Sequence, residues 1–271
     1  MEYQYDINKI VNYLSKHKDK LPELYKWPFK TDKLLEGGIL TKKEIEELNS
    51  KTDFERTVSL KNLISQKFEH YKKDLSILNK LYLWIIKDWG GIRATDDHKT
   101  LKLINEFLES EKPDFKRIAS TSKVGSFINP EKYIIYDSRV AYALNWTILS
   151  QEAGKYFFPI PNWRNTKMGA FDINVLIRLK NIKKYQPEIL EELDHKRFIY
   201  NRDKHVFISQ NDAYSELQKL IKNIHSELWR GDAEKKDKLF YTEMLLFSIA
   251  DREIIMDIIN SVLIKNNIDL Q

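Results

Sequence analysis

The chain has 271 residues, 42% of them hydrophobic and 12% aromatic, which is enough apolar material for one large domain or two small ones. Its 8 Gly and 7 Pro are too few for an all-β sandwich, which needs frequent turns. The absence of Cys excludes disulfide scaffolds, thiolate zinc sites and cysteine nucleophiles.

The formal net charge is +5, and the segment 155–204, with 11 Lys and Arg against 6 Asp and Glu, carries an excess of the same size. Such a basic segment is compatible with polyanion binding and equally with a solvated face. The N-terminal residues lack the pattern of a signal peptide, and the longest apolar run, near residues 81–86, is far shorter than the ~20 residues of a membrane span. We therefore expect a cytoplasmic protein without membrane association.

Apolar residues recur at three- to four-residue spacing along most of the chain, which predicts an all-α architecture with few or no strands. A first helix is predicted over residues 6–18, and Thr41 begins the next through the capping-box pattern T-K-K-E. The helical pattern of residues 53–88 is too long for one helix, so a break is expected there, and the sequence Trp89-Gly-Gly ends the second part. The remaining predicted helices cover residues 97–109, 113–120, 123–128, 138–149, 171–183, 212–228, 240–249 and 251–265.

Two ionisable residues are predicted at the starts of successive helices: Lys123 begins the helix 123–128, and Asp137 is the N-cap of the helix 138–149. A helix N-terminus binds anions and disfavours an ammonium group. This favours the neutral amine, the form in which Lys acts as a nucleophile. A carboxylate at Asp137 would stabilise positive charge developing nearby, so the pair suits displacement at a sugar carbon through an oxocarbenium-like state.

The segment RIASTSKVGSFINPEKYIIYDSRV, residues 117–140, resembles the helix-hairpin-helix DNA glycosylase superfamily, in particular its divergent bacterial oxoguanine-glycosylase-fold members. The sequences WGGIR at residues 89–93 and FYTEMLLFSIA at residues 240–250, which contains Glu243, add to the likeness. The resemblance is strongest over residues 89–149. It implies a two-lobed helical bundle in which Lys123 forms a Schiff base with C1′ of a flipped nucleotide, assisted by Asp137, with no cofactor and no metal.

The same resemblance divides the chain into an N-terminal helical region, residues 1–88, which can pack as part of one fold, and a glycosylase-like domain, residues 89–271, with the catalytic segment at 117–149. Substrate contacts are expected from Trp89, Arg93, Tyr136 and Arg139. Where the superfamily's hairpin reads Leu-Pro-Gly-Val-Gly, this chain has Ile-Ala-Ser-Thr-Ser, whose hydroxyls could replace the glycine contacts to DNA. The DNA-binding residues expected from this hairpin and from the aromatic, basic loop that follows are Lys116, Arg117, Ser120, Thr121, Ser122, Trp163, Arg164 and Lys167.

The leading interpretation is a DNA N-glycosylase, with or without β-lyase activity, that excises a damaged base, by default oxidised guanine, from duplex DNA. One alternative is an anti-phage defence glycosylase that removes hypermodified bases such as glucosylated hydroxymethylcytosine. Two others are a catalytically inactive nucleic-acid-binding module of the same fold and a helical protein–protein adaptor. DNA is the expected partner, and no obligate protein partner is evident. The S-x-x-K match at Ser120 to Lys123 lacks the companion motifs of serine β-lactamases, and the sequence has no P-loop.

Overall fold

In the computed structural model, the residues whose structure is described are 3–161, 166–181, 188–194 and 205–261. Over these ranges nearly all regular structure is helical. The described residues form no sheet, and their β pairing is limited to two isolated bridges, Tyr5 with Gly154 and Phe157 with Phe207. The predicted all-α class is confirmed. None of the described helices is long and apolar enough to span a lipid bilayer.

The first half of the chain contains α1 (Ile7–Lys18), α2 (Leu21–Leu24), α3 (Asp32–Glu36), α4 (Lys42–Asn49), α5 (Asp53–Tyr71), α6 (Leu75–Trp84) continued by a π-helical turn (Ile85–Trp89), α7 (Asp97–Glu109) and α8 (Ile118–Ile128). The second half contains α9 (Ser138–Ser150), α10 (Thr166–Ala170), α11 (Ile173–Lys180), a 3₁₀ turn (Leu190–Asp194), α12 (Gln210–Leu228), α13 (Phe240–Ile249) and α14 (Glu253–Ser261).

Local signals explain where most of these helices begin. Asp6 caps α1 by accepting a hydrogen bond from the backbone N–H of Lys9, and Thr41 forms the predicted capping box with Glu44. The break expected within residues 53–88 lies between α5 and α6, where the side chain of Asp74 caps the second helix. The predictions for residues 6–18, 97–109 and 240–249 agree with the structure to within one residue.

The region before Lys123 differs from the prediction. Residues 113–120 and 123–128 were expected to form two helices, but the structure has the single helix α8, which begins at Ile118. Arg117, directly before it, has a left-handed backbone with φ of 67°, so the chain cannot continue helically from Pro113. Lys123 therefore lies in the second turn of α8. The helix-dipole argument does not apply to it, because that effect is confined to the first turn.

Two hydrophobic clusters form the core. The first joins α1 and α2 to α9, α11, α12 and α13, around residues such as Leu14, Tyr142 and Leu245. The second is built from α3 to α7 and one side of α8, around residues such as Ile64 and Phe127. The N-terminal region 1–88 thus contributes to both clusters, and the division of the core does not follow the predicted boundary at residue 88.

Candidate active site

The side chains of Lys123 and Asp137 meet at the junction of two helices. Lys123 Nζ lies 3.8 Å from Asp137 Oδ2, and the two side chains are only 9% and 16% exposed. Asp137 is the N-cap of α9, as predicted, and its Oδ1 accepts the backbone N–H of Val140 at 3.0 Å. One carboxylate oxygen therefore caps the helix, while the other faces the lysine.

A small pocket adjoins this pair, at the boundary between the two hydrophobic clusters. Its free volume is about 30 Å³, which is room for about one water molecule. A nucleobase does not fit this space unless the pocket opens. Besides Lys123 and Asp137, its lining consists mainly of large apolar side chains: Tyr25, Trp27, Trp89, Ile135, Val140, Met244 and Phe247.

The indole of Trp27 covers part of this pocket. Its Nε1 donates a hydrogen bond to the backbone oxygen of Trp89 at 2.9 Å, and its ring meets the ring of Phe247 edge-on, with centroids 5.4 Å apart. Trp27 is half-buried and belongs to the non-helical segment between α2 and α3. The size of the pocket therefore depends on a side chain that belongs to a non-helical segment and is held by contacts to the surrounding helices.

A buried ion pair forms part of the pocket lining. Lys61 Nζ lies 2.6 Å from both Glu243 Oε1 and Ser126 Oγ, and the Ser126 hydroxyl donates to the same carboxylate oxygen at 2.8 Å. The side chains of Lys61 and Glu243 are 1% and 2% exposed. Burial lowers the pKa of Lys61, and the positive charge of Lys123 lowers it further, while the Glu243 carboxylate acts in the opposite direction.

The four predicted substrate contacts lie in different places. Trp89 is a wall of the pocket. Arg139 is not a lining residue but contacts one, Phe247. Its guanidinium is paired with Asp251 at 2.7 Å and packs 4.5 Å from the centroid of the Phe247 ring. Tyr136 is not among the lining residues: it is fully buried, and its hydroxyl donates to the backbone oxygen of Pro159 at 2.7 Å. Its predicted contact with substrate therefore has no support in the structure.

Arg93, the fourth predicted substrate contact, belongs to a separate surface groove of about 220 Å³ at the N-terminal ends of α7 and α8. Arg117, Ser120 and Thr121, all predicted to bind DNA, line the same groove, and Lys99 adds a third cationic side chain. The structure thus brings three of the hairpin residues together with Arg93.

The other predicted DNA contacts are not part of this groove. Ser122 is fully buried, so its hydroxyl is not available at a surface. Lys116 and Lys167 are exposed but do not line the groove. Trp163 and Arg164 lie outside the described residues.

Sequence reasoning missed several residues of the site: Tyr25, Trp27, Lys61, Ser126 and Phe247. Lys61 carried a readable signal, because it stands three residues after Val58 and three before Ile64, both on the buried side of α5. A lysine in that register must be buried, and a buried lysine needs a partner. For Trp27 and Phe247 the local sequence offers no comparable signal.

The described residues contain no group of three or more His, Cys, Asp or Glu side chains arranged to hold a metal ion. No protein-family model, no curated protein and no solved structure matches this chain.

Proposed function

We propose that this protein is a DNA glycosylase that excises a base from a nucleotide turned out of the double helix, with Lys123 and Asp137 as its catalytic pair. The observation that carries the proposal is the convergence of these two side chains, from α8 and α9, at 3.8 Å beside an aromatic-walled pocket. An amine and a carboxylate so placed can act on the same sugar carbon.

In the proposed reaction Lys123 first gives a proton to water, and the neutral amine then forms a bond to C1′ as the bond from C1′ to the base breaks. The base departs with that electron pair and takes up one proton from the amine nitrogen. The nitrogen lone pair then forms a C=N bond as the C1′–O4′ bond breaks, and O4′ takes up the last proton of the nitrogen, which gives the ring-opened Schiff base between Lys123 and C1′. The carboxylate of Asp137 stabilises the positive charge that develops on the sugar.

The walls of the pocket suit a planar ligand. The rings of Tyr25, Trp27, Trp89 and Phe247 are of the kind between which an extruded base stacks. Because the free volume is only about 30 Å³, entry of a base requires a wall to move. We expect Trp27 to be this wall, because it is half-buried and, unlike Phe247, lies outside the helices; its movement breaks the hydrogen bond to the Trp89 carbonyl and the contact with Phe247.

The groove that contains Arg93, Lys99 and Arg117 supports DNA as the partner. Three cationic side chains against one carboxylate, that of Asp96, lie at the N-terminal ends of two helices and form a surface to which phosphate oxygens bind favourably. Ser120 and Thr121 contribute to its lining from the first turn of α8, the helix that also carries Lys123. DNA bound there would lie close to the catalytic pair.

Borohydride trapping tests the proposal. The protein is incubated with duplexes that contain 8-oxoguanine, and separately with phage DNA that contains glucosylated hydroxymethylcytosine, and is then reduced. We expect a covalent protein–DNA complex that Lys123→Ala abolishes and that Lys222→Ala, a change at an exposed lysine of α12, leaves intact. The substrate that reacts distinguishes base repair from anti-phage defence.

Other outcomes count against specific parts of the proposal. Abasic product without a trapped complex would remove the nucleophilic role of Lys123 and leave a monofunctional enzyme that depends on Asp137. Salt-dependent DNA binding without any product would favour a non-catalytic nucleic-acid-binding module. Absence of both would favour a protein–protein adaptor.

A further inference from the structure

Two buried side chains hold consecutive backbone N–H groups of the connector, residues 129–137, which joins α8 to α9. Ser122 Oγ accepts the N–H of Tyr136 at 3.0 Å, and Glu243 Oε2 accepts the N–H of Ile135. Ser122 is the residue directly before Lys123, and Tyr136 is the residue directly before Asp137. The hydrogen bond between Ser122 and Tyr136 therefore lies one residue from each member of the catalytic pair.

Both acceptors are themselves fixed. The Ser122 hydroxyl donates to the backbone oxygen of Ile118 at 2.6 Å, so it is engaged as donor and as acceptor. Glu243 uses its other carboxylate oxygen for Lys61 and Ser126. Ser126 lies one turn after Ser122 on α8, so this helix is tied to the connector at two successive turns.

The end of the connector, residues 133–137, is irregular, and no strand among the described residues satisfies its backbone. A buried N–H without an acceptor costs about 1–3 kcal/mol, so the acceptors at positions 122 and 243, together with the Tyr214 hydroxyl at Ile134, determine where this backbone can lie. The position of Asp137 relative to Lys123 depends on that placement.

We propose that Ser122 and Glu243 are positioning residues for the Lys123–Asp137 pair. This inference rests on the proposed glycosylase function and assigns Ser122 a role different from the DNA contact expected from its sequence position. Ser122 is fully buried, and Glu243, although it lines the pocket, acts in this role through the N–H of Ile135. Loss of either acceptor lets the connector shift, and a displacement of about 1 Å between reacting groups can reduce a rate by about a hundredfold.

The test measures two quantities on the same lesion-bearing duplex: the single-turnover excision rate at saturating enzyme and the Kd for DNA. For Ser122→Ala we expect a rate about ten- to a hundredfold below wild type, with the Kd unchanged within about twofold. The matched control is Ser248→Ala, because Ser248 also donates to the carbonyl four residues earlier, that of Met244, at 2.7 Å. No described connector N–H is bonded to Ser248, so its removal should leave the rate unchanged.

A pair of charge-neutral double variants tests Glu243 and covers the case in which Ser122→Ala fails to fold. Lys61→Met with Glu243→Gln keeps an oxygen that can accept the Ile135 N–H, whereas Lys61→Met with Glu243→Met does not. We expect excision by the Gln variant to be at least about tenfold faster than by the Met variant, again with equal Kd.

Equal rates for the two double variants, or a wild-type rate for Ser122→Ala, would overturn the positioning role while excision itself stands. A rate loss in Ser122→Ala that is matched by an equal loss of DNA affinity would also overturn it and would restore the DNA-contact interpretation. If wild-type protein neither excises a base nor is trapped, the proposed function fails, and the positioning role fails with it.

Discussion

The ammonium group of Lys61 lies 2.6 Å from the carboxylate of Glu243, with both side chains almost completely removed from solvent. Removal of one partner leaves the other charge buried without compensation, which typically costs 3–5 kcal/mol. We expect Lys61→Met to lower the free energy of unfolding by about that amount. Lys61→Met combined with Glu243→Gln should recover much of the loss, because no charge is then left unpaired.

Urea denaturation of Lys61→Met, of Glu243→Gln and of the double variant gives a double-mutant cycle, which measures the free energy of interaction between the two side chains. If the loss of unfolding free energy in the double variant equalled the sum of the losses in the single variants, the two residues would not be coupled. The 2.6 Å contact would then contribute nothing to stability.

Asp137 caps α9 and, in the proposed function, also stabilises charge on the sugar, and two substitutions distinguish these roles. Asn is as good an N-cap as Asp, whereas Ala costs about 1 kcal/mol at such a position. Both substitutions remove the charge opposite Lys123, but Asp137→Asn keeps the cap and should be more stable than Asp137→Ala by about 1 kcal/mol, while its excision falls about a hundredfold or more because the negative charge is lost. Asp137→Ala should lose both stability and activity, as read by urea denaturation and single-turnover excision.

Asp6→Asn is the matched control for the cap, since Asp6 caps α1 by accepting the N–H of Lys9 at 3.1 Å and lines neither the pocket nor the groove. This control should change neither the free energy of unfolding nor the excision rate appreciably. Wild-type excision by Asp137→Asn would show that Asp137 is a helix cap only.

The sequence predicted those parts of the fold that depend on local interactions. Helical periodicity and capping side chains act over a few residues, so the bounds of α1 and α7 and the cap at Asp137 could be read directly. The start of α8 could not be predicted from the sequence. It depends on a left-handed backbone at Arg117, a conformation for which Gly or Asn is the usual signal.

The site was only half predictable for a different reason. Lys123 and Asp137 lie 14 positions apart in one segment that has a recognisable pattern. The walls formed by Tyr25, Trp27 and Phe247 come from opposite ends of the chain and meet because α2 and the segment after it pack against α13 within the first cluster. Periodicity shows which face of an element is buried, but not which distant element packs against it.

Trp27 should determine which bases can enter the pocket. We expect Trp27→Ala to increase excision of the bulky glucosylated hydroxymethylcytosine relative to 8-oxoguanine by several-fold, because the smaller side chain leaves the pocket open. Stability should fall by about 1–3 kcal/mol, as for other losses of a packed side chain. The measurement is the ratio of single-turnover rates on the two substrates.

Phe68→Ala serves as the control for this substitution, because Phe68 is another half-buried aromatic residue, packed on the second cluster and absent from the pocket lining. Phe68→Ala should lower the free energy of unfolding without changing the ratio of the excision rates on the two substrates. An unchanged ratio in Trp27→Ala would mean that Trp27 does not restrict entry.

His225 should make the fold sensitive to mild acid. Its Nε2 lies 3.0 and 3.1 Å from the backbone oxygens of Lys235 and Lys236 and must donate to them. Its Nδ1 lies 2.9 Å from the Thr242 hydroxyl, which accepts the indole N–H of Trp229 at 3.0 Å and has its own proton to donate to the imidazole. This arrangement suits the neutral ring, and burial lowers the pKa of His225 below its ordinary value of 6.5.

Because the folded state disfavours protonation, the stabilising contribution of His225 is complete above pH 6.5 and is lost as the pH falls below that value. The free energy of unfolding should therefore be lower at pH 5.5 than at pH 7.5. The decrease should be smaller in His225→Gln, which cannot titrate. Burial also lowers the pKa of His17, so part of the decrease should remain in that variant. Equal decreases in wild type and His225→Gln would contradict the assignment.

The groove between α7 and α8 should bind DNA phosphate independently of the catalytic pair. Each of Arg93→Ala and Arg117→Gly should reduce the slope of log K against log salt concentration by about 1 if the guanidinium contacts a phosphate. Arg117→Gly is the sharper variant, because Gly adopts the positive φ at position 117 without strain, so the fold should be no less stable. Excision at saturating enzyme should stay at the wild-type rate in both variants.

Lys222→Ala is the control for charge alone, since it removes a cation from exposed α12, outside the groove. It should leave the slope unchanged when binding is followed by fluorescence anisotropy over a range of salt concentrations. If all three variants lowered the slope equally, DNA binding would follow the net charge of the protein. A decrease confined to Arg93→Ala and Arg117→Gly would place the phosphate contacts at the N-terminal ends of α7 and of α8, the helix that carries Lys123.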